Sequence, residues 1–396
     1  MKIAIVTSGF NSSKPGGVSG VVLRIIASLR DIHELEILSF ANESKDLNSV
    51  QILNPLSYKR VKNEKTSLQG IRIWTFGTIG SEFEFLRYRK RRDLKPFLET
   101  FDAILVVTGF LQVANIIPKI KTPIFIQCAT RLIWERKSQY VGMSRIKRIF
   151  LKVQLPFLMV QEKMVLLNPS VFLAENSRMK LWLEEHSANP IQLWYPGTPS
   201  NFTNGISTTN YDSSSHFVSV GRFNEPRKGW DRLFIAYEKA YLEDSSIPPL
   251  LVIGWGEFSS GDRDVLVEAQ KACPILVLHD LTSEERDAKL KTASFFLQAS
   301  HEEGLGLAAL EALSFGVPLI CSATDGSREY VIEGVSGMLV EQSSEFVGDF
   351  SQAIILSQTL EYAELRRGSL ELFYEVFELE ISKHRLVQII SSQIEK

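Results

Sequence analysis

Short apolar runs alternate along this chain with stretches of helical period. After Lys2 comes an apolar run at 2–7, and further runs recur at 35–40, 71–76, 103–107, 124–127, 171–174 and 191–194. Runs of this length bounded by turn residues predict buried strands. Amphipathic stretches lie between several of them, beginning with VVLRIIASLR at 21–30. Such alternation builds a mostly parallel sheet with right-handed crossovers. The pattern then stops at PGTPSNFTNGISTTNYDSSS, residues 196–215, a polar, turn-rich run without period that predicts a linker. It restarts at 217–220, followed by a strand and glycine turn at 250–258, a strand at 295–297, a helix at 305–315 and a strand at 317–321. Gly334 and Gly337 mark turns before one more strand, and beyond Val340 the periodicity is helical only. The fold class is therefore α/β, with doubly wound domains at 1–195 and 216–376.

The chemistry concentrates between residues 294 and 340. Gly304 and Gly306 let the backbone approach a ligand where a helix begins, so the amides of Gly304, Leu305, Gly306 and Leu307, together with the positive helix end, suit a phosphate. Glu303 stands just before that end, and Glu311 is expected to return to nearly the same face about 10 Å further along the axis. Two carboxylates flanking a phosphate-sized site fit a nucleotide-sugar. GLGLAA also matches a dinucleotide fingerprint with Asp325 roughly 20 residues on. Against that reading, Ser300 to Glu303 intervene between strand and glycines, and the motif is far from a first βα turn. An ordinary helix start remains the plainest alternative. Upstream, Arg222 closes the strand at 217–220 and Lys228 precedes a helix, where two fixed cations can neutralise a diphosphate and stabilise it as a leaving group; as isolated residues they read more simply as surface charges. Gly16 and Gly17 follow the first strand and either turn the chain or bring amides against a phosphate.

Composition narrows the class. With 44% hydrophobic and 23% charged residues, the 396-residue chain reads as globular and long enough for two or three domains. Cys128, Cys273 and Cys321 are scattered in apolar contexts, as reduced buried thiols are. No signal peptide and no uncharged apolar stretch of about 18 residues is apparent, so a cytoplasmic location is expected, with peripheral attachment to the inner face of a membrane as an extension. The net charge of −2 hides a division: residues 1–195 hold 28 Lys and Arg against 16 Asp and Glu, a net +12, leaving a net −14 for the remainder. The first half should attract anions. Its basic positions cluster at Arg87, Arg89, Lys90, Arg91, Arg92 and Lys95, and at Arg145, Lys147, Arg148 and Lys152. The second cluster lies among Ile146, Ile149, Phe150, Leu151, Leu155 and Phe157, a combination expected either of a solvated basic face over a core face or of a helix on an anionic membrane. Nucleic acid is not expected, because interleaved aromatics and recognition motifs are lacking. Asp262-Arg263-Asp264 has the form of a metal-binding Asp-x-Asp, but an Asp pair opening a helix is explained by capping, and no metal site is expected.

Glu303, seven residues, Glu311, then Gly316-Val317-Pro318 and the Glu329, Gly334, Gly337 turn resemble the signature of retaining GT-B glycosyltransferases of the family 4 type, the glycosyl transferases group 1. Gly221-Arg222 followed by Lys228-Gly229 is similar to that family's second signature. The resemblance implies two Rossmann-like domains facing a cleft, with a closing helix at about 377–396 packed back onto the first. It implies transfer of a sugar, of the hexosyl type, from a nucleoside-diphosphate sugar, without a metal or other cofactor, to an acceptor hydroxyl that many bacterial members take from lipid-linked saccharides; the basic first half adds the expectation of polysaccharide or glycolipid assembly at the cell envelope. Arg222, Lys228 and the amides from Gly304 to Leu307 are implied to hold the departing diphosphate, Glu311 the ribose, Glu303 the transferred sugar, and Gly16 and Gly17 the donor's phosphate side. One position departs from the family: a His expected after the strand at 124–127 is replaced by the set Gln127, Cys128, Ala129 and Thr130. A nucleotide-sugar-binding subunit without catalysis, or a sugar-nucleotide epimerase of the same fold, therefore stand as alternatives.

Overall fold

The computed structural model describes residues 1–12, 16–140, 143–200 and 216–394, so 201–215 of the expected linker lie outside the described residues. Two compact units emerge. One holds Met1–Arg136, Met143–Gly197 and Ser382–Lys396, the other Lys137–Gly142 and Thr198–Ile381.

The first unit is built on an eight-stranded sheet. Its strands are β1 (Lys2–Ser8), β2 (Glu34–Phe40), β3 (Asn63–Leu68), β4 (Ile71–Phe76), β5 (Ala103–Thr108), β6 (Ile124–Cys128), β7 (Val171–Ala174) and β8 (Ile191–Leu193), in the order β3-β4-β2-β1-β5-β6-β7-β8. All pairings are parallel except β3 with β4. Parallel strands are covered on both faces, which is why AILVVT of β5 is buried at every position and visible as an apolar run. β3 is the exception. Its sequence NEKTSL is largely exposed and polar, and it forms because Gln69 and Gly70 both take positive φ, 49° and 84°, giving a two-residue hairpin of the type whose twist matches the strands. Apolar patterning is blind to such an edge strand. Helix α1 (Gly17–Leu29) follows β1, and α2 (Arg145–Leu166) precedes β7.

The second unit has six parallel strands: β9 (Phe217–Arg222), β10 (Leu250–Trp255), β11 (Ile275–His279), β12 (Phe295–Gln298), β13 (Leu319–Ser322) and β14 (Gly337–Val340). Their order, β11-β10-β9-β12-β13-β14, reverses between β9 and β12. A ligand crevice lies outside the carboxyl ends of the strands at such a switch point. β11 was not expected, since its short run at the sheet edge is only partly buried. Helices α3 (Trp230–Glu243), α4 (Ser260–Ala272), α5 (Ser283–Lys291) and α6 (Leu307–Ser314) complete the layers used below. Phe223, fully buried one residue past β9, stacks on Phe258 at 4.2 Å and meets Trp230 edge-on at 5.7 Å. These rings fix how the chain leaves the strand; truncating Phe223 to Ala should cost about 3–5 kcal/mol.

Helix α7 (Leu379–Ile394) closes the chain. Thr198 N donates to Phe377 O at 2.8 Å and Leu379 N to Thr198 O at 3.0 Å, which holds these residues in the second unit. From Ser382 the chain belongs to the first. There Trp194 Nε1 donates to Ser382 O at 3.1 Å and Ser382 Oγ to Tyr195 O at 2.7 Å.

Candidate active site

Three loops of the second unit converge at the switch point. The first leaves β9 through Arg222 and makes a short turn at Pro226–Lys228. Gly229 then starts α3 in the left-handed conformation, φ 63°, where a Cβ would come within 2.3 Å of Ala299 O. The second loop, residues 299–306, is clamped onto the first. His301 N donates to Arg227 O at 2.7 Å, and the Arg232 guanidinium holds Ala299 O. Ser322 Oγ donates to Ser300 O at 2.6 Å. Gln342 Nε2, from the third loop, donates to the carbonyls of Ser300 and His301, both at 3.1 Å, while its Oε1 accepts from Arg232 at 2.8 Å.

This bracing fixes a network of alternating charge. Lys228 Nζ lies 2.5 Å from Glu303 Oε1, which also accepts from Ser300 Oγ at 2.8 Å, and Arg227 Nη1 is 3.5 Å from Glu303 Oε2. Arg227 continues to Glu225 at 3.1 Å, and Glu225 pairs with Arg222. Three cations thus share two carboxylates. Glu303 is only 6% exposed, and burial pushes its carboxyl up; Lys228 and Arg227, with hydrogen bonds from Lys228 and Ser300, outweigh that and hold it below the ordinary carboxylate range. It is ionised at neutral pH.

The glycine loop differs from expectation at the helix start. Gly306 has φ 88°, a conformation that cannot continue a helix, so α6 begins at Leu307 instead of Leu305. Glu311 is consequently about 6 Å along the axis from the first helical residue, and the predicted seven-residue return from Gly304 on one helix face does not occur. Glu311 pairs with Arg286 of α5 at 3.3 Å. Beneath the loop lies the buried Tyr330: a Cβ on Gly306 would sit 2.4 Å from its hydroxyl oxygen. A Cβ on Gly326 would meet Leu305 Cα at 2.6 Å, and Gly326 N donates to Glu303 O at 2.9 Å. The backbone is therefore laid down tightly around Glu303 and the start of α6, whose first amides have no intrahelical partner.

Arg222, Lys228, Glu303 and the 304–307 backbone are brought together, with Glu311 one helical turn beyond. Arg227, Glu225, Ser300 and Arg286 were not singled out from the sequence, where the only signal was the charge-dense EPRK and SEER stretches. Asp262 serves as part of a helix start: its amide donates to Ser259 Oγ at 3.1 Å and its carboxylate accepts from that hydroxyl at 2.6 Å. Among the described residues no group of three or more His, Cys, Asp or Glu is arranged to hold a metal.

In the first unit, Gly16 caps α1 with extended backbone, Gly20 N donates to its carbonyl at 2.7 Å, and a Cβ on Gly17 would meet nothing within 4 Å. The set that stands where the family His is missing is largely committed. Gln127 is buried, accepting from Thr108 N at 3.0 Å and donating to Glu175 Oε1 at 2.5 Å. Burial pushes the Glu175 carboxyl up to about 8 against the opposing effects of Arg24 and the Gln127 hydrogen bond. Of the basic clusters, the one at 87–95 is partly engaged within the unit. Arg91 pairs with Asp93 at 2.8 Å and lies over the Phe40 and Phe76 rings, Lys95 pairs with Glu99 at 3.7 Å, and Arg87 bonds the Asn42 carbonyl.

The model of the glycosyl transferases group 1 family matches residues 206–364, the stretch that carries this network. This stretch belongs to the glycosyl transferases group 1 family. Its fold relatives share both units. Sucrose-phosphate synthase from Thermosynechococcus elongatus superposes with a TM-score of 0.69 at 17% identity, covering 99% of each chain, so the architecture is GT-B. In sequence, the chain is similar to the Vi polysaccharide biosynthesis protein VipC/TviE of Salmonella typhi, 36% identical over 109 residues, 26% of this chain and 18% of that one. Alpha-monoglucosyldiacylglycerol synthase of Streptococcus pneumoniae is 22% identical over 185 residues, 47% of this chain and 42% of that one. The matched stretches thus span less than half the length of these curated relatives.

Proposed function

We propose that this protein transfers a sugar from a nucleoside-diphosphate sugar to an acceptor hydroxyl, with retention of anomeric configuration and without a metal ion. The observation that carries this reading is the Arg222, Arg227 and Lys228 cluster, with Glu303 among the cations, at the switch point beside the glycine loop. When the anomeric C–O bond breaks, its electron pair leaves with the diphosphate. Fixed cations and helix-start amides are arranged for that charge, and one such preorganised donor is typically worth about 10²–10³ in rate. Lys228, Arg222 and the amides of Gly304 to Leu307 hold the diphosphate, Glu311 accepts from ribose hydroxyls, and Glu303 binds hydroxyls of the transferred sugar and faces the cationic centre as it develops. Gly16 and Gly17 present amides to a phosphate. The acceptor is a saccharide or lipid-linked saccharide of polysaccharide or glycolipid assembly, in keeping with what two relatives are named for.

The test is incubation with UDP-, GDP-, ADP- and dTDP-sugars in EDTA, following nucleoside-diphosphate release with and without candidate acceptors. Release from one donor, slowed at least about 100-fold by Lys228→Ala and by Glu303→Ala, is expected. Release that depends on added metal, or wild-type turnover in either variant, would overturn the corresponding part of the scheme.

The burial of Gln127 in its contacts with Thr108 and Glu175 favours one second reading, a subunit that binds the nucleotide-sugar without turning it over. Saturable thermal stabilisation by one donor, with no release under any acceptor, would establish it.

A further inference from the structure

Helix α2 presents an apolar stripe to solvent. Ile146, Ile149, Val153, Phe157, Val160, Met164 and Leu167 follow one another at steps of three or four residues, the spacing of a single helical face, and all are exposed, from 42% at Met164 to 82% at Ile146. The opposite face carries the packing: Leu158, Val165 and Leu166 belong to the core of the unit, and Gln154 and Gln161 bond the backbone of Glu84 and Phe85. The helix therefore has two apolar faces, of which the described residues cover one.

Charge identifies what suits the other. Arg145, Lys152 and Lys163 are spaced by seven and eleven residues, close to two and three turns, so they line one margin of the exposed stripe, and Lys147 adds a further exposed cation near the helix start. The one carboxylate of the helix, Glu162, is buried and paired with Arg131 at 2.5 Å. A second copy of this helix would bring like charges together along the seam, with no exposed carboxylate to relieve them. An anionic lipid surface has the required complement: hydrocarbon at the depth of the stripe and negative headgroups beside its margin.

A neighbouring loop extends the surface. Leu53 and Leu56 are 66% and 97% exposed, with Lys59 and Arg60 following them. Leu53 N donates to Glu82 Oε1 at 2.6 Å, and the adjacent Phe83 ring lies 5.4 Å from Phe150 of α2, so the loop is anchored beside the first turns of the helix.

We infer that α2, with the 52–60 loop, lies in the headgroup region of an anionic phospholipid membrane, its Ile146 to Leu167 stripe in the lipid and Arg145, Lys152 and Lys163 against the headgroups. This assigns the surface to α2 and not to the 87–95 cluster. It deepens the glycolipid and polysaccharide reading, on which it rests for the acceptor's lipid anchor.

The experiment is co-sedimentation of the full chain with vesicles of phosphatidylcholine alone and of phosphatidylcholine with phosphatidylglycerol, at low and high salt. Alongside it run an Ile149→Ser/Val153→Ser/Val160→Ser variant and a Lys147→Glu/Lys152→Glu variant. Binding to the anionic vesicles is expected to weaken with salt and to fall at least about tenfold in both variants, while nucleoside-diphosphate release from the soluble donor without vesicles is unchanged. Absence of wild-type binding to anionic vesicles, equal binding to both compositions, or full binding by the Ser variant would overturn the inference. So would a concentration-dependent dimer that the Ser variant abolishes. Donor turnover without vesicles reports separately on the glycosyltransferase reading, so each proposal can fail without the other.

Discussion

Lys228 Nζ and Glu303 Oε1 are 2.5 Å apart inside a pocket of charge that excludes most water, and each is the other's principal compensation for burial. A buried carboxylate that loses its partner is expensive. Lys228→Met should destabilise the second unit by about 3–5 kcal/mol, whereas the Glu303→Gln/Lys228→Met pair should recover most of that loss. Chemical denaturation of Lys228→Met, Glu303→Gln and the double variant measures it. Additive losses would mean the two groups are not coupled.

The same pair sets a pH dependence. Because Glu303 is held below the ordinary carboxylate range in the folded chain, its contribution to stability is present above the unfolded value near 4.3 and is lost as pH falls through the lower folded value. Activity that needs the ionised carboxylate should hold down to that region. In Lys228→Met the acid limb should move upward, since burial is then opposed by Arg227 and Ser300 alone. A pH–rate profile with the best donor checks the direction; an unmoved limb would assign it to another group.

Glu175 behaves oppositely. Burial raises its folded value to about 8, so the folded chain holds a proton that the unfolded chain releases near 4.3. Stability should decline as pH rises from the unfolded value to about 8, by at most about 5 kcal/mol from this group, and stay low above it. Glu175→Gln should flatten that decline and raise the melting temperature at pH 8.5 relative to wild type. Parallel melting curves across pH 5 to 9 in both proteins would refute the assignment.

Gly306 joins conformation to site. Alanine there meets both the positive φ and the Tyr330 hydroxyl oxygen at 2.4 Å. Gly306→Ala should lower donor affinity and cost about 1–3 kcal/mol, and Tyr330→Phe in the same chain should relieve the steric part while leaving the backbone strain. Donor titration of the single and double variants separates the two. Identical affinities in wild type and Gly306→Ala would remove the loop from the donor site.

The sequence disclosed the parts of the fold that burial writes into it. β5 and β12 are apolar because both faces of a parallel sheet are covered; Arg222 could be placed because it ends such a strand, β9, and Glu303 because its loop follows another, β12. β3 was illegible for the converse reason: its residues face water, and only the Gln69-Gly70 turn demands it. In the site, the glycines and acidic residues stood out by type and spacing. The partners of those residues did not, because pairing depends on loops meeting in space. Nothing local in EPRK says that Arg227 rather than Arg222 reaches Glu303, or that Glu311 meets Arg286 from another helix.

The indole of Trp194 and the carbonyl of Ser382 are separated by 188 positions of chain. At about 5–20 residues per second on the ribosome, Trp194 is made roughly 10–40 s before its acceptor. During that interval the first unit has its sheet but lacks its closing helix, while the second unit is being synthesised between the two. The unit that begins first is thus completed last, and a chain released before Ser382 would leave it with an open flank at Trp194 and Tyr195.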